Sequence, residues 1–134
     1  MATDAALLRF SFSDSEVLCL ACAGPTVTVH FSAAWVQRRL PGAAPLTGYV
    51  RGLQMQLQGV PEGAAVDAMG RLRDGRVLLA STGAGLTQLD IPGRWQEPLT
   101  LELDFAQGAS LRWQATQLVC TLQQGWDFQE SLAC

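Results

Sequence analysis

The chain has 134 residues, of which 49% are hydrophobic and 16% are charged. This length suits a single domain over residues 1–134, and the composition excludes an intrinsically disordered protein. The net charge is −3 and the pI is about 4.9. A general nucleic-acid-binding protein is therefore not expected, because such proteins usually carry a basic field.

The N-terminal sequence favours a cytoplasmic location. Met1 to Arg9 contains neither the basic region nor the long apolar region of a signal peptide. No apolar run reaches the ~20 residues that a transmembrane helix needs, so no membrane association is predicted. All nine basic residues are Arg, and the chain contains no Lys and no Asn. This residue usage suggests a GC-rich bacterial genome.

Alternating apolar and polar residues dominate the chain, a pattern typical of half-buried strands in antiparallel sheets. The alternation is strict in Leu53–Gln58 and in Leu99–Phe105. Nine strands are predicted, at about residues 6–12, 16–23, 26–32, 48–58, 64–72, 76–81, 86–91, 98–106 and 109–122. Their number and spacing predict an all-β fold, either an antiparallel β-sandwich or a closed β-barrel of about 8–9 strands.

Turn-forming residues separate several of the predicted strands. Asp14–Ser15 is expected to turn the chain between the first two strands, and Gly108 is expected to close a later hairpin. Asp74–Gly75 accepts the positive φ angles of a type I′ turn, so a hairpin is predicted over residues 71–78.

At most one short helix is predicted, near residues 33–40. Ser32 is a suitable N-cap for this segment, and Pro41–Gly42 would end it. The alternative is an extended edge that leaves the sheet at the same Pro-Gly pair. At the other end of the chain, residues 125–134 are predicted to form a loosely held C-terminal tail.

Near residue 116 the apolar residues change from odd to even positions. The odd set is Leu111, Trp113 and Ala115, and the even set is Leu118, Cys120 and Leu122. A regular strand cannot bury both sets on one face. Either a bulge near Thr116–Gln117 restores the register, or the strand bends and serves two sheets. One buried cluster across the Gly108 hairpin is expected to contain Leu101, Leu103, Phe105, Leu111 and Trp113.

Cys19 and Cys22 form a CxxC sequence within the apolar run Val17–Ala23. Zinc sites and redox motifs with this spacing need a tight turn or the start of a helix, whereas this run predicts a strand. Residues i and i+3 of a strand point to opposite faces. We therefore predict two buried structural thiols on opposite faces, without a metal or a mutual disulfide, rather than a zinc half-site or a redox pair.

Few residues are candidates for catalysis. His30, the single His, falls on the polar face of its strand, which favours a solvated residue over a general base or metal ligand. Glu102 and Asp104 share one strand face, where carboxylates more often keep a sheet soluble than perform acid–base work. No GxSxG sequence is present. The chain is therefore predicted to be no enzyme and to hold no cofactor.

Three Arg residues crowd the predicted hairpin at residues 71–78. They are Arg71, Arg73 and Arg76. Three guanidinium groups can hold a phosphate or an acidic partner. The alternative is a solvated hairpin tip that includes Asp74.

The four Trp residues divide into two pairs. Trp35 and Trp113 are expected to pack inward. Trp95, preceded by Arg94, and Trp126 lie in predicted loops. Loop Trp residues and Arg are enriched at binding hot spots, although a loop Trp can equally plug the end of a sandwich.

These patterns predict a protein-interaction module that binds a protein partner or a second copy of itself as a homodimer. The polar face of Gln54, Gln56 and Gln58 would add hydrogen bonds to such an interface. The alternative is a small-ligand-binding protein with a pocket between two sheets or in a barrel mouth.

Overall fold

In a computed structural model, the protein is described at residues 8–38, 42, 44–61 and 68–130, without the side chains of residues 124–126. These residues form ten β-strands and no helix, so none of them belongs to a helix that could cross a membrane. The strands are β1 (Leu8–Ala23), β2 (Thr26–Arg38), β3 (Leu46–Gln58), β4 (Gly70–Leu79), β5 (Gly85–Leu86), β6 (Gln88–Ile91), β7 (Gly93–Trp95), β8 (Leu99–Phe105), β9 (Ser110–Ala115) and β10 (Gln117–Glu130). The predicted all-β class is confirmed.

The strands pair antiparallel in the order β7-β10-β3-β2-β1-β4-β8-β9, while β5 pairs with β4 and β6 pairs with β1. Because β7 and β9 stand at the two ends of this order, the described strands do not close into a barrel, and that prediction is wrong. Two residue pairs, Glu16 with Arg71 and Val17 with Gly70, join β1 to β4. From Leu72 onward β4 pairs with β8 instead. Strand β4 therefore connects two regions of the sheet, since it leaves β1 after two residues.

The predicted turn at Asp14–Ser15 is a bulge inside β1. Ser11 pairs with Trp35 and Glu16 pairs with Ala33, so four residues of β1 stand opposite one residue of β2. Asp14 has a φ of 70°, which Asp tolerates better than most residues. The buried Ser15 hydroxyl donates to the Ser11 carbonyl at 2.8 Å and accepts the Trp35 backbone N–H at 2.8 Å. The chain thus continues as one strand because Ser15 replaces hydrogen bonds that the bulge breaks.

The predicted hairpin at Asp74–Gly75 is also wrong, because β4 passes through these residues without reversing. Gly75 is buried, and a Cβ there would lie 2.7 Å from the ring of Phe12. The glycine therefore serves the close packing of Phe12 on β4. The predicted strand at residues 64–72 is present from Gly70 onward, and residues 64–67 lie outside the described residues.

The prediction of a short helix near residues 33–40 is wrong for residues 33–38, because these residues continue β2. Both neighbours, β1 and β3, pair with this stretch. These ladders satisfy the backbone groups that a helix would satisfy internally. In the first part of β2 the buried residues are Val29 and Phe31, at odd positions. In the later part they are Ala34 and Val36, at even positions. The change from odd to even positions falls opposite the bulge of β1. Residues 39 and 40 lie outside the described residues.

The predicted hairpin through Gly108 and the change of face near residue 116 are both confirmed. Strand β8 pairs with β9, with Leu101 opposite Trp113 and Leu103 opposite Leu111. Strand β9 ends at Ala115, and β10 then pairs with β3 and β7. The chain thus serves two regions of the sheet, which was the second of the two predicted alternatives.

Strand β10 extends further than expected. A tail was predicted over residues 125–134, but Asp127–Glu130 pair with Gly48–Arg51 of β3. Phe128 packs against the core, and the Arg38 guanidinium lies 5.6 Å from the centre of its ring. This packing holds the strand to Glu130. Residues 131–134 lie outside the described residues.

The buried residues form one hydrophobic cluster with contributions from both regions of the sheet. The predicted members Leu101, Leu103, Phe105, Leu111 and Trp113 all belong to it. Three Phe rings lie close together in it: the centre of Phe10 is 4.9 Å from that of Phe12 and 5.3 Å from that of Phe31. Edge-to-face pairs of this kind stabilise a core beyond their buried area.

Candidate functional site

The strands β2, β3 and β10 present a broad polar surface on the side opposite the core, which we call the outer face. Its central members are Thr26, Thr28, His30, Gln54, Gln56, Gln58, Gln117, Val119 and Thr121. The residues between them, such as Val29, Met55 and Cys120, are fully buried. Alternation therefore assigns the listed side chains to the solvent side.

The outer face is organised in rows across the strands. Thr28 pairs with Gln56, and Gln56 pairs with Val119. One row along, His30 pairs with Gln54, and Gln54 pairs with Thr121. Such directly opposite side chains lie on one face, with their Cβ atoms about 5 Å apart. The predicted position of His30 on a polar face is thereby confirmed.

Two side-chain hydrogen bonds cross the strands on this face. The Thr26 hydroxyl donates to the Gln58 side-chain oxygen at 3.0 Å, and the Gln123 amide donates to the Gln54 oxygen at 3.0 Å. Each Gln retains further hydrogen-bonding capacity, because an amide group has two donors and two acceptor sites. The face therefore offers ordered donors and acceptors that can meet a partner.

An aromatic pair lies on the outer face beside these rows. The ring centres of Trp35 and Tyr49 are 4.9 Å apart at an interplanar angle of 64°. Strand pairing sets them opposite one another, and their neighbours Ala34, Val36 and Val50 are buried. Trp35 therefore points away from the core, and the expectation that it packs inward is wrong. The bulge of β1, which shifts the buried positions of β2, is the physical reason.

Arg51 completes this group. Tyr49 and Arg51 flank buried Val50 in the strand, so alternation places both side chains on the outer face. Arg51 is exposed and stands opposite Asp127 of β10. We call Trp35, Tyr49 and Arg51 the aromatic patch. Sequence patterns missed it because Tyr49 and Trp35 are far apart in the chain. The alternation of Tyr49, Val50 and Arg51 indicated that Tyr49 and Arg51 share one face of the sheet. It did not indicate which face, because that depends on the irregularity near Gly52.

The structure places the predicted loop residues in strands. Arg94 and Trp95 belong to β7, an end strand that pairs with β10. Trp95 is half-buried and packs against the core, as a plug would. Arg94 is exposed and pairs with Val119, which sets it at the margin of the outer face. The backbone of Trp126 belongs to β10, and its side chain lies outside the described residues.

The three Arg residues of the predicted hairpin do not converge. Because β4 is one strand, Arg71 and Arg76 are five residues, or roughly 17 Å, apart. Arg71 pairs with Asp14 at 2.5 Å, and this hydrogen bond and charge raise the pKa of Arg71. Arg76 pairs with Glu102 at 3.0 Å. Arg71 and Arg76 are therefore separated, and each contacts a carboxylate of its own.

The carboxylates of β8 have partners of their own. Glu102 lies between Arg76 at 3.0 Å and Arg112 at 3.3 Å. Asp104 accepts a hydrogen bond from the Ser110 hydroxyl at 2.7 Å. Glu102 and Asp104 share one face, as predicted; two Arg residues balance the charge of Glu102, whereas a neutral hydroxyl contacts Asp104. Among the described residues, no group of three or more His, Cys, Asp or Glu could hold a metal ion.

The cysteines differ in their surroundings. Cys19 and Cys22 are free and exposed, so the prediction that they are buried is wrong. They pair with His30 and Val27 respectively, which confirms that they lie on opposite faces. Cys120 is fully buried, and burial raises the pKa of its thiol to about 12.

Two surface depressions adjoin the ends of the strands. One of about 410 Å³ is lined by Gly59, Pro61, Leu78, Leu79, Ala80, Pro98, Leu99, Thr100, Gln114, Ala115 and Thr116. Another of about 440 Å³ is lined by Arg9, Gly85, Leu86, Thr87, Gln88, Asp90 and Trp95. The first is bordered by apolar side chains together with the hydroxyl and amide groups of three polar residues.

No protein-family model, no curated protein and no solved structure matches this chain. The candidate site therefore stands on its geometry alone.

Proposed function

We propose that this chain is a non-enzymatic protein-interaction module that binds a protein partner through the outer face, with the aromatic patch as the main contact. The observation that supports this proposal is the position of Trp35, Tyr49 and Arg51 on one solvent-facing surface. Trp, Tyr and Arg are the three residue types most enriched at binding hot spots. An aromatic pair that faces water contributes less to folding than a buried one, so binding is its best use.

The dimensions of the outer face suit a protein partner. It covers three neighbouring strands, β2, β3 and β10, which are 13, 13 and 14 residues long and lie about 4.8 Å apart. Side chains from all three strands can therefore contact one partner together. The surrounding Thr and Gln side chains supply the hydrogen bonds that such an interface carries at its rim.

The proposal also includes the domain organisation, the cellular location and the bacterial origin that the sequence predicts. The shared hydrophobic cluster supports a single domain over residues 1–134 in which the two regions of the sheet pack as an antiparallel sandwich. A cytoplasmic location is supported by the free thiols Cys19, Cys22 and Cys120. Bacterial origin rests on residue usage.

The proposal is tested by affinity purification followed by measurement with the purified partner. Wild type and Trp35→Ala serve as baits, and Gln114→Ala, an exposed change outside the outer face, is the control. The dissociation constant of the captured protein should rise at least about 30-fold for Trp35→Ala, which corresponds to a hot-spot residue. Equal affinity for both variants would contradict the proposed site.

A second candidate function is the binding of a small ligand in the depression of about 410 Å³ between Gly59 and Thr100. Its volume lies within the range of small-molecule sites, and apolar Leu79 and Leu99 line it beside polar Thr100 and Gln114. Ligand-detected NMR screening of wild type against Gln114→Trp, which would fill the depression, tests this function. Hits that bind both forms equally would exclude this site.

A further inference from the structure

The depression of about 440 Å³ beside β6 combines two opposite charges with apolar side chains. Its volume lies within the range of small-molecule sites. It shares no lining residue with the aromatic patch or with the central members of the outer face, so a ligand here would be separate from the protein partner proposed above. We call it the Trp95 depression, and its lining includes Arg9, Leu86, Thr87, Gln88, Asp90 and Trp95.

Strand pairing places the two charged residues of this depression side by side. Arg9 of β1 stands opposite Asp90 of β6, so both side chains project from one face of the sheet. Arg9 Nε lies 3.4 Å from Asp90 Oδ1, whereas a strong charge-assisted hydrogen bond measures about 2.8 Å. Their side chains are 37% and 53% exposed, and exposed pairs of this kind contribute little to stability. The two groups can therefore turn toward a ligand without loss of the fold.

Half-buried apolar side chains lie next to the charged pair. Leu86 and Trp95 pack against the hydrophobic cluster and remain partly exposed. Gly93 allows the Trp95 ring to lie against the strand, because a Cβ there would be 2.7 Å from the ring and 2.5 Å from the backbone oxygen of Asp90. The backbone thus positions the ring beside Asp90. Aromatic rings pack well against apolar and aromatic groups, so this side of the depression suits an apolar part of a ligand.

Polar side chains complete the lining one row from the charged pair. Gln88 stands opposite Ser11, and its amide donates to the Ser11 hydroxyl at 3.2 Å. An amide group has two donors and two acceptor sites, so Gln88 can also bond to a ligand. Thr87 adds a hydroxyl, which both donates and accepts.

We propose that the Trp95 depression binds a free α-amino acid with an apolar side chain. Arg9 holds the α-carboxylate and Asp90 holds the α-ammonium group, while Leu86 and Trp95 contact the apolar side chain. The ligand's two charges are separated by a single carbon atom, and the two protein charges that meet them are also neighbours.

The charged pair discriminates against ligands with a single charge. A simple amine is attracted by Asp90 but repelled by Arg9, and a simple carboxylate is attracted by Arg9 but repelled by Asp90. A neutral ligand would cover both charged groups without replacing their contacts with water. A zwitterion is therefore the class of ligand that satisfies both groups at once.

Chemical-shift titration of the ¹⁵N-labelled protein tests this selectivity with three ligands of similar shape. They are L-phenylalanine, phenethylamine, which lacks the carboxylate, and 3-phenylpropionate, which lacks the ammonium group. Phenylalanine should shift the amides of Thr87–Asp90 and the indole N–H of Trp95, with a Kd of about 1–3 mM, as expected for a ligand of about twelve non-hydrogen atoms. The other two ligands should bind at least about fivefold more weakly. Equal affinity for all three, or no shift near the solubility limit of phenylalanine, would overturn the proposal.

Substitutions of the charged pair should give opposite patterns with the two singly charged ligands. Arg9→Gln should weaken phenylalanine binding at least about fivefold, but it should not weaken phenethylamine binding, because it removes the repulsive charge. Asp90→Asn should weaken phenylalanine binding similarly and spare 3-phenylpropionate. Trp95→Leu should weaken all three ligands about threefold or more, and Arg112→Gln, an exposed change outside the depression, should have no effect. If Arg9→Gln and Asp90→Asn change the affinity for all three ligands alike, the charged pair does not recognise a zwitterion and the proposal is wrong.

Discussion

The burial of the two halves of β1 runs opposite to their composition, because the second half, Leu18–Ala23, is wholly apolar, whereas the first half, Leu8–Val17, contains three charged residues. In the first half, Phe10, Phe12 and Val17 are buried, with strands on both sides at several positions. In the second half, Leu18 and Cys22 are exposed, and β2 is the pairing strand among the described residues. The residues themselves do not explain this difference. Burial depends on which strands the topology brings against each half, and the described pairing of β4 with β1 is limited to Glu16 and Val17.

The largest effect should come from Phe12 in the first half. Phe12→Ala removes a ring that packs against Phe10 and over Gly75. The loss of buried area and the cavity should lower the free energy of unfolding by about 3–5 kcal/mol. Leu18→Ala in the second half is the matched control and should change it by less than about 0.5 kcal/mol. Urea denaturation measures both, and equal effects would remove the contrast between the halves.

The next effect concerns the contact between β1 and β4. Gly75→Ala sets a methyl group 2.7 Å from the Phe12 ring, so this ring or the strand must shift. Overpacking of this kind should cost about 1–3 kcal/mol in thermal or urea unfolding. In a Phe12→Leu background the same change should cost less, since the ring is absent. Additive effects in this double-mutant cycle would show that the two residues do not compete for space.

Substitutions of Ser15 test whether its hydroxyl stabilises the bulge in the first half of β1. Ser15→Ala leaves the Trp35 backbone N–H and the Ser11 carbonyl without their present partner. Because the Trp35 group is only partly buried, a loss of about 1 kcal/mol is expected. Ser15→Thr keeps the hydroxyl and is the comparison. Denaturation midpoints measure the loss, and near-UV circular dichroism should show a changed Trp35 environment in Ser15→Ala alone.

The smallest effect concerns the pH dependence of stability, which should depend on Cys120 and not on Cys19. The pKa of Cys120 is raised from 9.0 to about 12 by burial, so the folded protein keeps a proton that the unfolded chain releases. Stability from this group is complete below about pH 9 and falls as pH rises toward about pH 12, by less than about 1.4 kcal/mol per unit. Cys120→Ala should flatten this decline in urea denaturation, whereas Cys19→Ser should leave it unchanged. The opposite pattern would contradict the burial of Cys120.

The core of β8 and β9 could be predicted from the sequence because its signal is local. Leu101 and Leu103 alternate with polar residues, and Gly108 closes a short hairpin, so neighbours in sequence are also neighbours in space. The change of face at Thr116 was predictable for the same reason. Odd and even apolar positions cannot share one face, whatever the rest of the fold does.

The local turn signals failed where tertiary packing opposed them. Asp74–Gly75 has the residues of a hairpin, but the Phe12 ring needs a glycine in that strand. Ser32 and the Ala residues after it suit a helix, but β1 and β3 offer their backbone hydrogen bonds on both sides. The aromatic patch was missed for a related reason, because the face of Trp35 is set by a bulge in a different strand.

Alternation along the chain thus determined the strand class, the members of the β8–β9 core and the opposed faces of Cys19 and Cys22. It could do so because side-chain direction in a strand has a period of two and needs no knowledge of the partner. The pairing of β4 with two neighbours, the exposure of Leu18 and Cys19, and the outward position of Trp35 were decided by tertiary structure alone. These features depend on where strands that are distant in sequence begin and stop pairing. The residues of a single strand do not determine those positions.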